Sequence, residues 1–376
     1  YKDNFPEKNS LIVDRQLDAG GIMIGKTNTA ELGVGAHTAN RLFGITPNIY
    51  GNSKSSGGSS GGASVAVASD LLPFADGTDM MGSCRTPAAF ANIYGFRPTP
   101  GIIPDYRLDN KKKNLPIIST PGCLARTPND MSILLDVIVG KHKSDPISSN
   151  LNGSFKETNI KDQDILNIKI GWLSDMNGAY QYEDEIIDIC NKKLYSLEKN
   201  KIKVENLKPK IDVLKLWDCW TTIRAKSIYE DIIDMNINDI NEMTPQAIWE
   251  YKKGIKIKGD DIQLALNSRI ELLSDLNKVF NNYDFLALPS QQTFPFDKNL
   301  KYPNKINKFE TDTYHRWIEV HILASLFYLP SISVPIGFNK NGFPIGIQII
   351  GKQSEDLKLF AFAKKYEEMF AYNKKK

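Results

Sequence analysis

Apolar and polar positions alternate along this chain with two different periods. Leu11, Ile12, Val13 and Leu17 lie on a short amphipathic helix, which Gly20-Gly21 terminates. The following run, Ile22-Met23-Ile24-Gly25, reads as a buried strand. Ala63-Ser64-Val65-Ala66-Val67-Ala68 is a compact apolar run suited to close helix packing. Residues 141–164 are polar and rich in Asn and Ser, as in a surface connection. Ile168-Lys169-Ile170-Gly171-Trp172-Leu173 reads as a buried strand, residues 185–197 have helical periodicity, and residues 202–207 alternate as a further strand. From 213 to 280 the pattern is helical, broken at Thr244-Pro245 and again at 254–259, and suits a scaffold with a lid better than it suits chemistry. Residues 283–289 read as a buried strand, residues 314–317 lead into a helix ending near Pro330, and residues 355–372 form a terminal helix.

Composition bounds what this pattern can build. At 376 residues and 41% hydrophobic the chain buries a large core, as one large domain or two intimately joined ones. No run of about 18 apolar residues exists, so no membrane partner is expected. Forty-seven basic residues against 44 acidic ones leave a net charge of +3, and Lys111-Lys112-Lys113 and Lys374-Lys375-Lys376 read as solvated loop and tail, so no nucleic-acid partner is expected. Cys84, Cys123, Cys190 and Cys219 have no paired spacing, and His37, His142, His315 and His321 are scattered. This suits a reducing, cytoplasmic setting and a mechanism without metal or other cofactor.

The stretch that carries chemistry is Ser56-Gly57-Gly58-Ser59-Ser60-Gly61-Gly62, followed by Asp79-Met80-Met81-Gly82-Ser83-Cys84-Arg85-Thr86-Pro87-Ala88 and Gly95-Phe96-Arg97-Pro98-Thr99. A glycine-serine cluster is ordinarily a linker, but linkers do not run at once into a compact apolar helix. Glycines beside serines let main-chain N–H groups converge on one point, as in an oxyanion hole. Between Ser59 and Ser83 there is room for a loop, a helix of about four turns and a short strand, so both serines can return to one site.

In this stretch the chain resembles the amidase signature family, with its Gly-Gly-Ser-Ser-Gly-Gly core, its second Gly-Ser, and a closing Gly-x-[KR]-Pro-[ST]. Further elements resemble the family in order: Lys26-Thr27-Asn28 with Glu31-Leu32, the loop Asn40 to Gly44 with Thr46-Pro47-Asn48, Pro121 to Thr127 with Cys123 where proline is usual, and the strand and hairpin at 331–335 and 342–351. The resemblance implies an α/β amidase signature fold, a large mixed β-sheet core covered by helices on both faces. It implies a single domain over 1–376, with 1–140 and 281–376 as the core and 150–280 as a more variable, largely helical part.

The resemblance also implies a Ser-cisSer-Lys triad, with Ser83 as nucleophile, Ser59 as the bridging serine and Lys2, in Lys2-Asp3-Asn4-Phe5, as the base. Lys26 is not the family's lysine. The oxyanion donors it implies are the main-chain N–H groups of Met80, Met81, Gly82 and Ser83, with Ser60, Asp79 and Arg85 in support and Asp79–Arg85 as an ion pair bracketing the turn. Cys84, beside the nucleophile, reads as a small hydrophobe rather than a rival, and His315 as structural rather than a general base. Two departures stand out. Met81 occupies a position where glycine is commonest, which predicts a side chain at the mouth of the site and a remodelled acyl pocket. Only Pro6-Glu7-Lys8-Asn9 fills a loop that is longer in the family, so a loop near Phe5 and Pro6, and a segment before Tyr1, are expected in the full gene product.

The activity that the resemblance implies is hydrolysis of a small-molecule carboxamide through an acyl-serine intermediate. An alternative is the glutaminase (A) subunit of a tRNA-dependent amidotransferase, where Arg224 or Arg316 would take the glutamine carboxylate. A third is a catalytically impaired member acting as a binding protein. Trp217, Trp220 and Trp249 are candidates for the acyl-pocket wall, and a homodimer is an assembly the sequence leaves open.

Overall fold

The computed structural model describes residues 3–105, 115–237 and 239–370. Its centre is an eight-stranded sheet of β1 (Phe74–Asp79), β2 (Tyr94–Arg97), β3 (Thr120–Ala125), β4 (Lys169–Trp172), β5 (Lys203–Asn206), β6 (Phe285–Pro289), β7 (Ser331–Phe338) and β8 (Pro344–Ile350). The spatial order is β1-β3-β2-β7-β8-β6-β4-β5. Only β6·β4 and β4·β5 run parallel, so the sheet is mixed, as the family resemblance implies. The helices that matter here are α1 (Leu11–Asp18), α2 (Gly61–Ala68), α3 (Arg85–Phe90), α4 (Pro128–Ile138), α5 (Ile186–Lys199), α6 (Val213–Asp234), α7 (Pro245–Gly254), α8 (Gly259–Phe280), α9 (Ile322–Leu326) and α10 (Asp356–Phe370).

The period of two sorts the central strands between two cores. On β6, Phe285 and Ala287 join a cluster with α4, α5 and α10, while Leu286 and Leu288 join another with α6, α8 and α9. A strand covered on both faces is apolar throughout, which is why residues 285–289 read as one unbroken run. Helix starts follow local chemistry. Thr127 Oγ1 accepts from Asp130 N–H at 3.0 Å ahead of Pro128, and Asp212 Oδ1 accepts from Lys215 N–H at 2.9 Å. α1 is tied down by Arg15, whose guanidinium donates to the carbonyls of Ile138 and Val139 at 2.6 and 2.8 Å, where α4 ends and a cation is favoured.

Three expectations need correction. Residues 22–25 form no strand: Ile22 is 90% exposed and Ile24 70%. A strand needs a neighbour to take its N–H and C=O groups, and no described residue pairs with this run. The helix expected before Pro330 is a 3-10 turn, Arg316–His321, followed by the five residues of α9. Residues 141–164 are not wholly surface, since Phe155 is fully buried against Phe96 and Phe360. The breaks expected within 213–280 do separate α6, α7 and α8. No helix among the described residues is long and apolar enough to cross a membrane.

Candidate active site

Two glycine-bearing turns meet at the ends of α2 and β1. The first holds Ser59 and Ser60 just ahead of α2, with a cis Gly58–Ser59 peptide. Thr38 organises it: its Oγ1 accepts from Gly61 N–H at 2.9 Å and lies 2.8 and 3.2 Å from the carbonyl oxygens of Gly57 and Ser59. Position 61 must be glycine, because a Cβ there would overlap the Thr38 hydroxyl. Ala30 N–H also donates to Ser59 O, at 3.2 Å, so the Ser59 carbonyl is committed while its side chain is left over.

The second turn carries Met80 to Ser83 between β1 and α3. Asp79, fully buried at the end of β1, accepts from Gly82 N–H at 2.9 Å and Cys84 N–H at 3.2 Å. Arg85 closes a two-pronged pair on it, Nη2 to Oδ1 at 2.8 Å and Nε to Oδ2 at 3.0 Å. Arg97 stands 3.6 Å from Oδ1 and also donates to the Asp79 carbonyl. Burial alone would raise the Asp79 pKa, but Arg85, then Arg97, hold it well below the usual carboxylate range. Burial lowers the Arg97 pKa to about 10, with Asp79 opposing. The rest of the Arg85 fork is satisfied by Gln348 Oε1 at 2.7 Å and Ser325 Oγ at 3.1 Å.

Gly82 has φ +87, and a Cβ on it would overlap the His321 ring. His321 Nε2 lies 2.8 Å from Thr86 Oγ1, and burial followed by the Arg85 charge lowers its pKa to about 3, so the ring is neutral. The turns are joined by Ser60 N–H donating to Ser83 O at 3.2 Å. Ser60 Oγ is engaged with the main chain of Thr78, at 3.4 Å from its N and 3.5 Å from its O.

Ser59 and Ser83 line one cavity of about 280 Å³, with Met80, Gly33 and Ser227 among its other walls. Both serines are more than nine-tenths buried, and neither Oγ has a hydrogen-bond partner among the described residues. The main-chain N–H groups of Met80, Met81 and Ser83 likewise have no acceptor there. Gly82 N–H, expected as a fourth oxyanion donor, is instead taken by Asp79. Lys2 lies outside the described residues. Among the described residues no group of three or more His, Cys, Asp or Glu is placed to hold a metal ion.

Other expected positions fall elsewhere. Met81 does not stand at the mouth. Its side chain turns into the core, where Sδ accepts from Trp220 Nε1 at 3.2 Å and only 2% of the residue is exposed. Met80 is the one that faces the serines, its Sδ held by Arg224 Nη1 at 2.9 Å. Arg224 is occupied within a buried cluster, Nε to Glu250 Oε1 at 2.7 Å and Nη2 to Tyr314 Oη at 2.9 Å. Arg316 pairs with Asp312 and Glu319 and stacks over Trp217, so neither arginine is placed to take a glutamine carboxylate. Trp217, Trp220 and Trp249 do not line the serine cavity. His315 is buried among Trp217, Trp249 and Tyr314, outside that cavity. Cys84 packs against Ala63, Val67 and Leu124, and burial holds its thiol neutral. Lys26 is exposed and does not line the serine cavity. Thr38, His321 and Glu250 carry no local sequence signal, since each acts on a partner remote along the chain, while Gln348 and Tyr314 lie in stretches the sequence singles out without showing their partners.

The chain is similar to known proteins along nearly its whole length. The family model described as Amidase matches residues 1–360. An acylamidase of Rhodococcus erythropolis is 28% identical over all of this chain and 77% of its own length. The A subunit of the glutamyl-tRNA(Gln) amidotransferase of Treponema denticola is 26% identical over 96% of this chain and 78% of its own. The crystal structure of a bacterial aryl acylamidase of the amidase signature family superposes with a TM-score of 0.86 at 26% identity, covering 98% of this chain and 76% of that one.

Proposed function

The chain belongs to the amidase family and is an amide-hydrolysing enzyme, and from that premise we propose that it cleaves a small-molecule carboxamide through an acyl-enzyme on Ser83. Ser83 Oγ attacks the carbonyl carbon while Ser59 passes its proton to Lys2. Lys2 then protonates the departing nitrogen as the C–N bond breaks, and water, activated by the same relay, releases the acid and restores Ser83. The carbonyl oxygen, negative in the tetrahedral intermediates, is stabilised by the N–H groups of Met80, Met81 and Ser83.

One observation supports this reading above the others. Two serines remote along the chain line one cavity, and among the described residues neither their hydroxyls nor the N–H groups of Met80, Met81 and Ser83 have a partner. Hydroxyls and N–H groups converging on one cavity without partners of their own suit an incoming acyl group. For the relay, Lys2 must be neutral. Lowering its pKa from near 10.4 by about three units costs about 4 kcal/mol in the folded protein.

The glutaminase reading is disfavoured by Arg224 and Arg316, both engaged by carboxylates of the chain itself. Fluorophosphonate labelling read by peptide mass spectrometry tests the assignment. The probe is expected on Ser83, to be absent in Ser83→Ala, and to be slowed about 10²-fold or more in Ser59→Ala and Lys2→Ala. Ser60→Ala is expected to keep its labelling, since that hydroxyl serves Thr78. Absence of labelling in a folded full-length sample would favour the impaired binding protein.

A further inference from the structure

A second cavity of about 230 Å³ has no part in this chemistry. It shares no lining residue with the serine cavity, yet the two meet at one segment. Leu32 and Gly33 line the first, and Val34 to Ala36 line the second.

Its charge is one-sided. Arg41, Lys298 and Lys301 line it and no Asp or Glu does, in a chain whose basic and acidic residues nearly balance. None of the three has a carboxylate partner among the described residues. Arg41 Nη1 donates to the carbonyl of Glu242 at 2.7 Å, and neither lysine forms an ion pair there. The N-terminus of the ten-residue α7 borders the same space through Thr244, Pro245 and Gln246, and Thr244 N–H there donates to Glu31 Oε1 at 2.6 Å. A carboxylate of the chain thus already meets the positive end of that helix, which leaves the three side-chain cations as the cavity's charge.

Part of the remaining wall is aromatic. Tyr302, Tyr314 and Trp317 line it, with Tyr302 and Tyr314 edge to face at 6.4 Å. Tyr314 Oη is committed to Arg224 and Glu250, so it is the ring that this residue has left to offer. Positive charge and rings lining one small cavity suit a molecule with an anionic head and an apolar body.

We propose that this cavity binds an organic carboxylate, the carboxylate held by Arg41, Lys298 and Lys301, and an aromatic body set against Tyr302, Tyr314 and Trp317. The assignment stands on the cavity's own charge and rings. The acids released by amide hydrolysis belong to the same chemical class, and only that link rests on the amidase reading.

The test is calorimetric titration of Ser83→Ala protein with sodium benzoate and sodium phenylacetate, with benzyl alcohol and benzylamine as uncharged and cationic controls. Saturable binding of the carboxylates is expected, at least tenfold weaker for benzyl alcohol and absent for benzylamine. The double variant Lys298→Gln, Lys301→Gln is expected to lose tenfold or more, while Glu230→Gln in the serine cavity changes nothing. Carboxylates binding no better than benzyl alcohol, or binding the double variant as tightly as the parent, would overturn the proposal. Unlabelled Ser83 together with the expected titrations would remove the amidase mechanism and leave this site standing. Labelled Ser83 with flat titrations would do the reverse.

Discussion

Asp79 and Arg85 form a two-pronged ion pair, at 2.8 and 3.0 Å, with both side chains fully withdrawn from solvent. The same carboxylate fixes Gly82 N–H and Cys84 N–H, so the pair sets the shape of the turn that carries Ser83. Removing one partner leaves the other charged and buried. Arg85→Met is expected to destabilise the fold by about 3–5 kcal/mol in urea unfolding and to slow Ser83 labelling even where the protein is folded. Wild-type stability in that variant would show the pair to be dispensable.

Gly82→Ala introduces two faults at one position. The backbone there has φ +87, and the new methyl overlaps the neutral ring of His321. Loss of about 1–3 kcal/mol and of nearly all labelling is expected, because the turn must move to relieve the overlap. The combination with His321→Ala should recover part of the stability, which thermal unfolding of the single and double variants would read.

The adjacent methionines should separate stability from substrate choice. Met81→Ala opens the core beside Trp220 and is expected to cost about 2–5 kcal/mol, while Met81→Leu costs under about 1.5. Met80→Ala faces the serine cavity and is expected to change KM across a panel of aryl and alkyl amides while moving stability less. The urea midpoint and the KM panel, measured on both variants, distinguish the roles. An identical KM panel for Met80→Ala would remove it from the substrate wall.

Glu319 gives the fold a measurable pH dependence. Burial raises its pKa to about 7, with Arg316 in opposition. A carboxyl raised in the folded state contributes stability that is complete below its unfolded pKa, near 4.3, and is lost as pH rises through 7. The span corresponds to about 3 kcal/mol between pH 4 and 8. Glu319→Gln, which keeps an amide near Gln292 and Arg316, is expected to flatten that decline. Urea midpoints of both proteins at pH 4, 5, 6, 7 and 8 check it, and parallel curves would count against the assignment.

Much of this molecule was legible as sequence wherever cause and effect lie close together along the chain. Asp79 and Arg85 sit on one turn, so their pairing follows from their positions. Ser60 and Gly61 lead straight into a run of small apolar residues, and residues 285–289, covered on both faces, show as an unbroken apolar strand. Outcomes that depend on a remote partner were not legible. Ile22 to Ile24 have a strand's composition but no ladder to join among the described residues, and backbone pairing is a property of two segments rather than one. Met81 and Met80 are chemically alike, and Trp220 and Arg224, both on α6, draw one into the core and leave the other beside the serines. Gly82 N–H reads as an oxyanion donor until the Asp79 carboxylate is seen to hold it, and Arg224 reads as a ligand for a carboxylate until Glu250 occupies it. Local propensity and turn chemistry are written in neighbouring residues, whereas the direction of a side chain and the partner of a buried polar group are set by packing between segments that the chain order separates.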